Sequence, residues 1–409
     1  MLSSLLIKNF KSCAEAAAPL ASLTFLTGPS DSGRRSVLEA LRLLHGLAGG
    51  LRLDDIERTI QSGNAPVRGR AADLFHDAAE SLAIGCRLDD HGDGLNELQI
   101  EIGLQDEHLV LQGEEVRSSS EALPLYRVEG TQPQQAVFCQ LETPGMFCQE
   151  DAFLQEAIPA AVQRFREHLG SIVFLDPNPA AMRGYSYAGD DALKEDGSNL
   201  SSVLEKLCRQ EQTKQALLDF MCSLPEQHID DISFVRTERG DVMVRLHESF
   251  GSKEQKTDAA LLSDGTLRIL AVGAALLSAP EKALAVIDGI DSGIWPARAG
   301  ILARQIQDIA ARAGMQVLVS SSSPALLDAV PDAALGDVLC CCRNPEDGSS
   351  RIVRLADMKR FPELMAQGTL GQLAASGRLE KFLQDATSEE ERRQAALFWL
   401  EELVKETAV

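Results

Sequence analysis

The sequence predicts an α/β fold, a mixed and largely parallel core sheet joined to an antiparallel β lobe and a helical subdomain. Three observations predict it. A strand, PLASLTFLTG, runs into a glycine-punctuated turn, GPSDSGRRSVLEAL, that opens a helix. Apolar strands alternate with helical periodicity through the last third, which implies crossover connections between parallel neighbours. From about residue 51 to 130, short alternating runs broken by Asp/Gly pairs read as antiparallel hairpins.

Taken in order, LSSLLIKNFKS is a first strand and PLASLTFLTG a second. Val37, Leu38, Leu41 and Leu44 then fall at helical spacing, so a helix follows the turn directly. NELQIEIGL and EHLVLQG alternate as hairpin strands, and residues 150–170 return to helical periodicity. SIVFLDPNP is a buried strand closed by prolines, and YSYAGDDALKEDGSN is a polar loop. Residues 200–222 read as helices, and ISFVRTE with DVMVRLHE as a hairpin. Ser263 can cap a helix from Thr266 through Leu277. KALAVID is an apolar strand ending at Asp288, Leu302, Ile306 and Ile309 mark a helix ending at Gly314, and MQVLVSS and VLCCCR are buried strands. EEERRQAALFWLEELVKE reads as an amphipathic helix. The pattern divides the chain into an N-terminal lobe (1–130), a helical or insert subdomain (131–260), a C-terminal lobe (261–380) and a terminal helix (381–409).

With 409 residues, 44% hydrophobic and 24% charged, the chain is long enough for a sizeable core and ordinary in composition. Its net charge of −22 repels nucleic acid, although Arg34, Arg35 and Arg42 could start a local basic patch. The nine cysteines are irregularly spaced and lack the paired C-x-x-C of a metal site. No apolar run reaches bilayer length. These features lead us to expect a soluble, cytoplasmic protein.

The turn at Gly28 carries the chemistry. A phosphate loop offers backbone N–H groups at a helix N-terminus, a lysine for the β/γ oxygens and a hydroxyl for magnesium. Gly28, Ser32 and Gly33 keep that frame, but Arg34 takes the lysine position and Arg35 the hydroxyl position. A forked guanidinium does not replace a point charge conservatively, and Arg35 has no oxygen for a metal. Ser36 comes one residue late, turned about 100° away on a helix. Asp288 suits a strand-end carboxylate that holds magnesium water, but the next position, where a general base belongs, is Gly289.

The segments LLIKNFKS, GPSDSGRRS, LDPNPAAMRGYS, DGSNLSSVL, LSDGTLRILAV, VIDGIDSGIWP, VSSSSPALLD and LGQLAASGRL together resemble the RecF/SMC-like branch of the ABC-class ATPases, within the group of predicted AAA-type ATPases. They occur in that family's order from residue 5 to about 380. The resemblance implies an ABC-type P-loop NTPase head with ATP and magnesium as ligands. It makes Gly28, Ser32, Gly33, Arg34, Arg35 and Ser36 the nucleotide-binding loop. It also makes Ser263, Asp264 and Gly265 the signature that completes a facing subunit's site, and Asp288 the metal-holding aspartate. Asp291 to Gly293 would cross a dimer interface, with Trp295 replacing a histidine there. Gln155 is its candidate magnesium-sensing glutamine. Against the family pattern, Arg34, Arg35, Gly289 and Ser322 replace the lysine, the metal hydroxyl, the catalytic glutamate and the switch histidine.

Two functions follow as expectations. One is a catalytically degenerate ATPase-like scaffold or regulator that dimerises through its ABC face, in an anti-phage or toxin-like setting that rests on the family alone. The other is a nucleotide-binding subunit, weakly active or paired with an intact ATPase, as in defence or DNA-repair complexes. The acidic charge makes a direct DNA clamp the weaker reading.

Overall fold

The computed structural model describes residues 1–62, 67–89, 94–118, 126–129, 152–224, 228–290, 296–358 and 360–384, with backbone only at 61–62, 126–129 and 152–156. The expected terminal helix falls almost wholly beyond them, and Gln155 lies outside the described side chains. Asp291, Gly293 and Trp295 lie outside the described residues altogether.

Fifteen strands build three sheets among the described residues. β1 (Leu2–Phe10) and β2 (Cys13–Pro19) form a hairpin, and β3 (Leu23–Thr27) leads into the glycine turn and helix α1 (Arg34–Ala48). β4 (Ser81–Leu88), β5 (Glu97–Gln105), β6 (His108–Arg117) and β7 (Tyr126–Glu129) join the hairpin in an antiparallel sheet ordered β2-β1-β4-β5-β6-β7. β8 is Val173–Leu175, and β9 (Ile229–Arg236), β10 (Val242–Phe250) and β11 (Lys253–Asp258) form a separate meander. β12 (Leu284–Asp288), β13 (Gln316–Ser320), β14 (Leu339–Arg343) and β15 (Ser350–Arg354) complete the central sheet, ordered β15-β14-β3-β13-β12-β8. Its pairings are parallel except for β14 with β15.

The central sheet is buried on both faces, which explains its continuous apolar strands. Leu26, Phe174, Val286, Leu318, Leu339 and Cys341 pack on one side with α1 and the helix Ala152–Gly170. Phe25, Leu175, Ile287, Val319, Cys340 and Cys342 pack on the other with the helices Asp264–Ser278 and Pro296–Ala313. The cysteine triplet therefore alternates between two apolar layers. The sheet takes β3, β8 and β12–β15 from three different stretches of the chain.

Three features depart from the pattern read in the sequence. Leu53–Ser62, within the stretch expected to form hairpins, is a helix. Its Leu53 and Ile56 are fully buried at helical spacing, and Asp54 and Asp55 favour its first turn. β2 reads CAEAAAP and β11 reads KEQKTD, neither rich in β-formers. They are strands because β1 and β10 offer ladders to them, from Ser4↔Pro19 to Phe10↔Cys13 and from Arg245↔Asp258 to Phe250↔Lys253.

The glycine turn closes one end of the central sheet by close approach. Gly28 has φ +144°, and a Cβ there would lie 2.4 Å from the Cys341 carbonyl oxygen. Gly50 also has positive φ but has nothing within 4 Å. We therefore expect Gly28→Ala to cost about 2–4 kcal/mol in urea unfolding and Gly50→Ala about 1 kcal/mol. Equal losses would show that the contact with β14 contributes nothing.

Candidate functional site

The turn Gly28–Gly33 is held from within. Ser32 is buried, donating its Oγ to the Pro29 carbonyl at 2.8 Å and its N–H to the same oxygen at 3.2 Å. Gly33 adopts the left-handed conformation at φ 95° as the residue capping α1. A Cβ there would meet the Ser350 Oγ at 2.0 Å, so only glycine fits. A chain of hydroxyls, Ser36–Ser12–Ser350, crosses this point at 3.0 and 2.8 Å and ties α1, the β1–β2 turn and β15 together.

A groove of about 290 Å³ opens beside the turn, lined by Lys11, Ser12, Ser30, Asp31, Gly33, Arg35, Ser36, Arg68 and Arg343. Lys11 and Arg68 share the buried carboxylate of Glu39, and Lys11 also donates to the Arg68 carbonyl at 2.7 Å. Burial holds the Lys11 ammonium below its ordinary range, with Glu39 opposing that shift. Arg343 donates to the carbonyls of Asp31 and Gly348, each at 2.7 Å. Among the described residues neither Arg35 nor Arg343 has a carboxylate partner. Arg34 turns inward, and its charge acts on the buried Cys341 thiol. Its Nη1 is buried and has no hydrogen-bond partner among the described residues. The site is locally cationic in an acidic chain. Arg42 does not line the groove; it pairs with Glu195 and lies over the Phe174 ring.

Residues at the ends of three parallel strands stand next to α1. Asp288 is in register with Ser320, and Asp176 follows Leu175, the partner of Ile287. Gly289, with φ +63°, gives its N–H to the Ser320 carbonyl at 3.2 Å. A Cβ on Gly289 would meet only Asp176 Oδ1, at 3.9 Å. Partial burial and the charge of Asp288 raise the Asp176 carboxyl above its ordinary value, against Arg42, Arg35 and Arg268. Ser322 is exposed and lines a smaller, mostly apolar cavity with Gly28, Pro29, Cys341 and Leu379. The structure thus gathers Gly28, Ser32–Ser36, Asp288 and Gly289 at one end of the sheet, with Ser322 at its edge. Sequence reasoning missed Asp176 and the cations Lys11, Arg68 and Arg343. The LDP that ends the predicted strand SIVFL was the available signal for Asp176.

The signature residues lie on the surface. Ser263 and Asp264 are exposed, and the Ser263 Oγ accepts from the Thr266 N–H at 3.1 Å as an N-cap. Arg183 braces the motif, donating to the Ala260 and Leu262 carbonyls and to Asp264.

Residues 159–328 match the family model described as "AAA domain, putative AbiEii toxin, Type IV TA system". That span includes Asp176, the signature and Asp288 but not the glycine turn. An SMC head bound to the C-terminal winged-helix domain of ScpA superposes with TM-score 0.50 at 13% identity, covering 86% of this chain and 96% of the other. The Pyrococcus furiosus SMC head with an extended coiled coil, bound to the ScpA C-terminal domain, gives TM-score 0.50 at 12% identity, covering 89% and 99%. The chain has the fold of an SMC head domain. No curated protein matches the sequence. Among the described residues, no helix is long and apolar enough to cross a membrane.

The ligands of such a head fit unequally here. The glycine cradle, the α1 N-terminus, the orphaned Arg34 Nη1 and the groove cations fit a phosphate-bearing anion. Magnesium does not fit the same way. Arg35 offers no oxygen to a metal, and the Ser36 Oγ is 3.0 Å from Ser12 within the hydroxyl chain. Replacing Ser263 by Ala should cost the chain about 1 kcal/mol in thermal or urea unfolding, the worth of its cap. No loss would mean that the cap is not formed.

Proposed function

We propose that this chain is a non-hydrolysing ABC head, a scaffold or regulatory subunit that binds a phosphate-bearing ligand at the N-terminus of α1. One observation carries this reading. Where hydrolysis needs a metal-binding hydroxyl and a general base, the chain has Arg35 and a left-handed Gly289. Arg34 and the groove cations can bind charge on a ligand, but no side chain at Gly289 can take a proton from water. A glutamate restored there would stand beside Asp176 and Asp288, where like charges oppose it.

The exposed signature supports dimerisation through the same face. Leu261, 79% exposed, stands two residues before Ser263. That surface favours a second role, completing the nucleotide site of an intact ATPase partner. The match to the AbiEii-type family supports a toxin-like or defence setting for either role.

Two outcomes are expected. The purified chain should bind ATP with sub-millimolar affinity by calorimetry and release phosphate no faster than a protein-free blank, while the combined change Arg34→Lys, Arg35→Thr, Gly289→Glu should raise release at least about tenfold over that blank. Turnover by the unaltered chain that disappears in Asp288→Asn would overturn the reading. In light scattering, Leu261→Asp should convert a dimer to monomer. A dimer unaffected by that change places the interface elsewhere.

A further inference from the structure

The ends of β8, β12 and β13 carry Asp176, Asp288 and Ser320 side by side. Phe174, Val286 and Leu318, two residues earlier on these strands, pack on the α1 side of the sheet. Side chains alternate along a strand, so Asp176, Asp288 and Ser320 project to that side as well. Ser320 is fully buried, and its Oγ has no hydrogen-bond partner among the described residues.

Three guanidiniums act on Asp176. Arg42 is already neutralised by Glu195. Arg268 donates to the Pro177 carbonyl at 2.6 Å and forms no ion pair among the described residues. Arg35 has none either, and it both lines the groove and acts on Asp176. Asp176 therefore lies within the field of two guanidiniums, Arg35 and Arg268, that form no ion pair among the described residues. A divalent cation placed at Asp176 would enter against both.

We propose that the phosphate site of this chain works without a divalent cation, with Arg35 supplying in place of the metal the positive charge between the ligand and the strand-end carboxylates Asp176 and Asp288. The inference rests on the reading that the α1 N-terminus binds a phosphate-bearing ligand. It adds that the bound species is the metal-free polyanion. Arg35 lies one residue past Arg34 at the start of α1 and, unlike the inward-turned Arg34, lines the groove that a phosphate chain would enter. The carboxylates hold Arg35 by charge, as they would otherwise hold metal-bound water.

The test is calorimetric binding of ATP and of inorganic tripolyphosphate to the full chain, in EDTA and in excess magnesium chloride. The unaltered chain should bind both probes in EDTA at least as tightly as in magnesium, because magnesium lowers the charge of the free polyanion. Arg35→Thr should bind at least about tenfold more weakly in EDTA and regain affinity when magnesium is added. Arg35 is exposed, and circular dichroism checks that the variant folds. Binding by the unaltered chain that requires magnesium would overturn this inference and leave the phosphate reading intact. Absence of binding in both buffers would overturn both. Equal loss for Arg35→Thr with and without magnesium would show that Arg35 adds charge but does not replace the metal. The EDTA comparison on the unaltered chain needs no variant.

Discussion

The close approach of Gly28 and Gly33 to β14 and β15 is the constraint on which the site depends. A side-chain carbon at either glycine would overlap Cys341 or Ser350. Without those contacts the loop would not deliver the first N–H groups of α1 to the end of the sheet. The same approach seats Ser350 against Ser12 and Ser12 against Ser36, so one contact fixes α1, the β1–β2 turn and β15 together. Close packing of backbone against backbone tolerates no intermediate geometry. The loop therefore keeps its shape although the residues that usually follow it are changed.

Charge is arranged around that rigid point. The chain is strongly acidic, yet Lys11, Arg35, Arg68 and Arg343 converge on one groove. Glu39, buried beneath them, offsets Lys11 and Arg68, and it fixes their position more than it adds net stability. Arg35 and Arg343 are left to face solvent or a ligand. Interactions between exposed cations and an anionic ligand are screened by salt, whereas the inward Arg34 is shielded from that screening. The surface and the interior of the site thus contribute different things, attraction over a distance from the groove and a directed contact from Arg34.

Much of the fold was legible because it rests on local signals. The strand–turn–helix at Gly28, the cap at Ser263 and the apolar strands ending at Asp288 and Ser320 each show in a window of a few residues. What was not legible depends on partners far away in sequence. β2 and β11 have poor strand sequences and are strands because a neighbour offers a ladder. Leu53–Ser62 was submerged in a stretch whose later runs alternate. Asp176 looked like the edge of a proline turn. Only its position next to β12 makes it the neighbour of Asp288 and Gly289.

The sequence by itself determined the order of the segments, a glycine-punctuated turn between strand and helix, and the identities of Arg34, Arg35, Gly289 and Ser322. These are matters of residue identity and spacing, and they can be read without a fold. Tertiary structure alone decided where the charges meet. It turned Arg42 away to Glu195, turned Arg34 inward with an unpartnered nitrogen, and brought Lys11, Arg68 and Arg343 to the mouth of the groove. The reason is physical. Electrostatic interaction depends on distance and burial in three dimensions, and residues 11, 35, 68 and 343 become neighbours only when the sheets close.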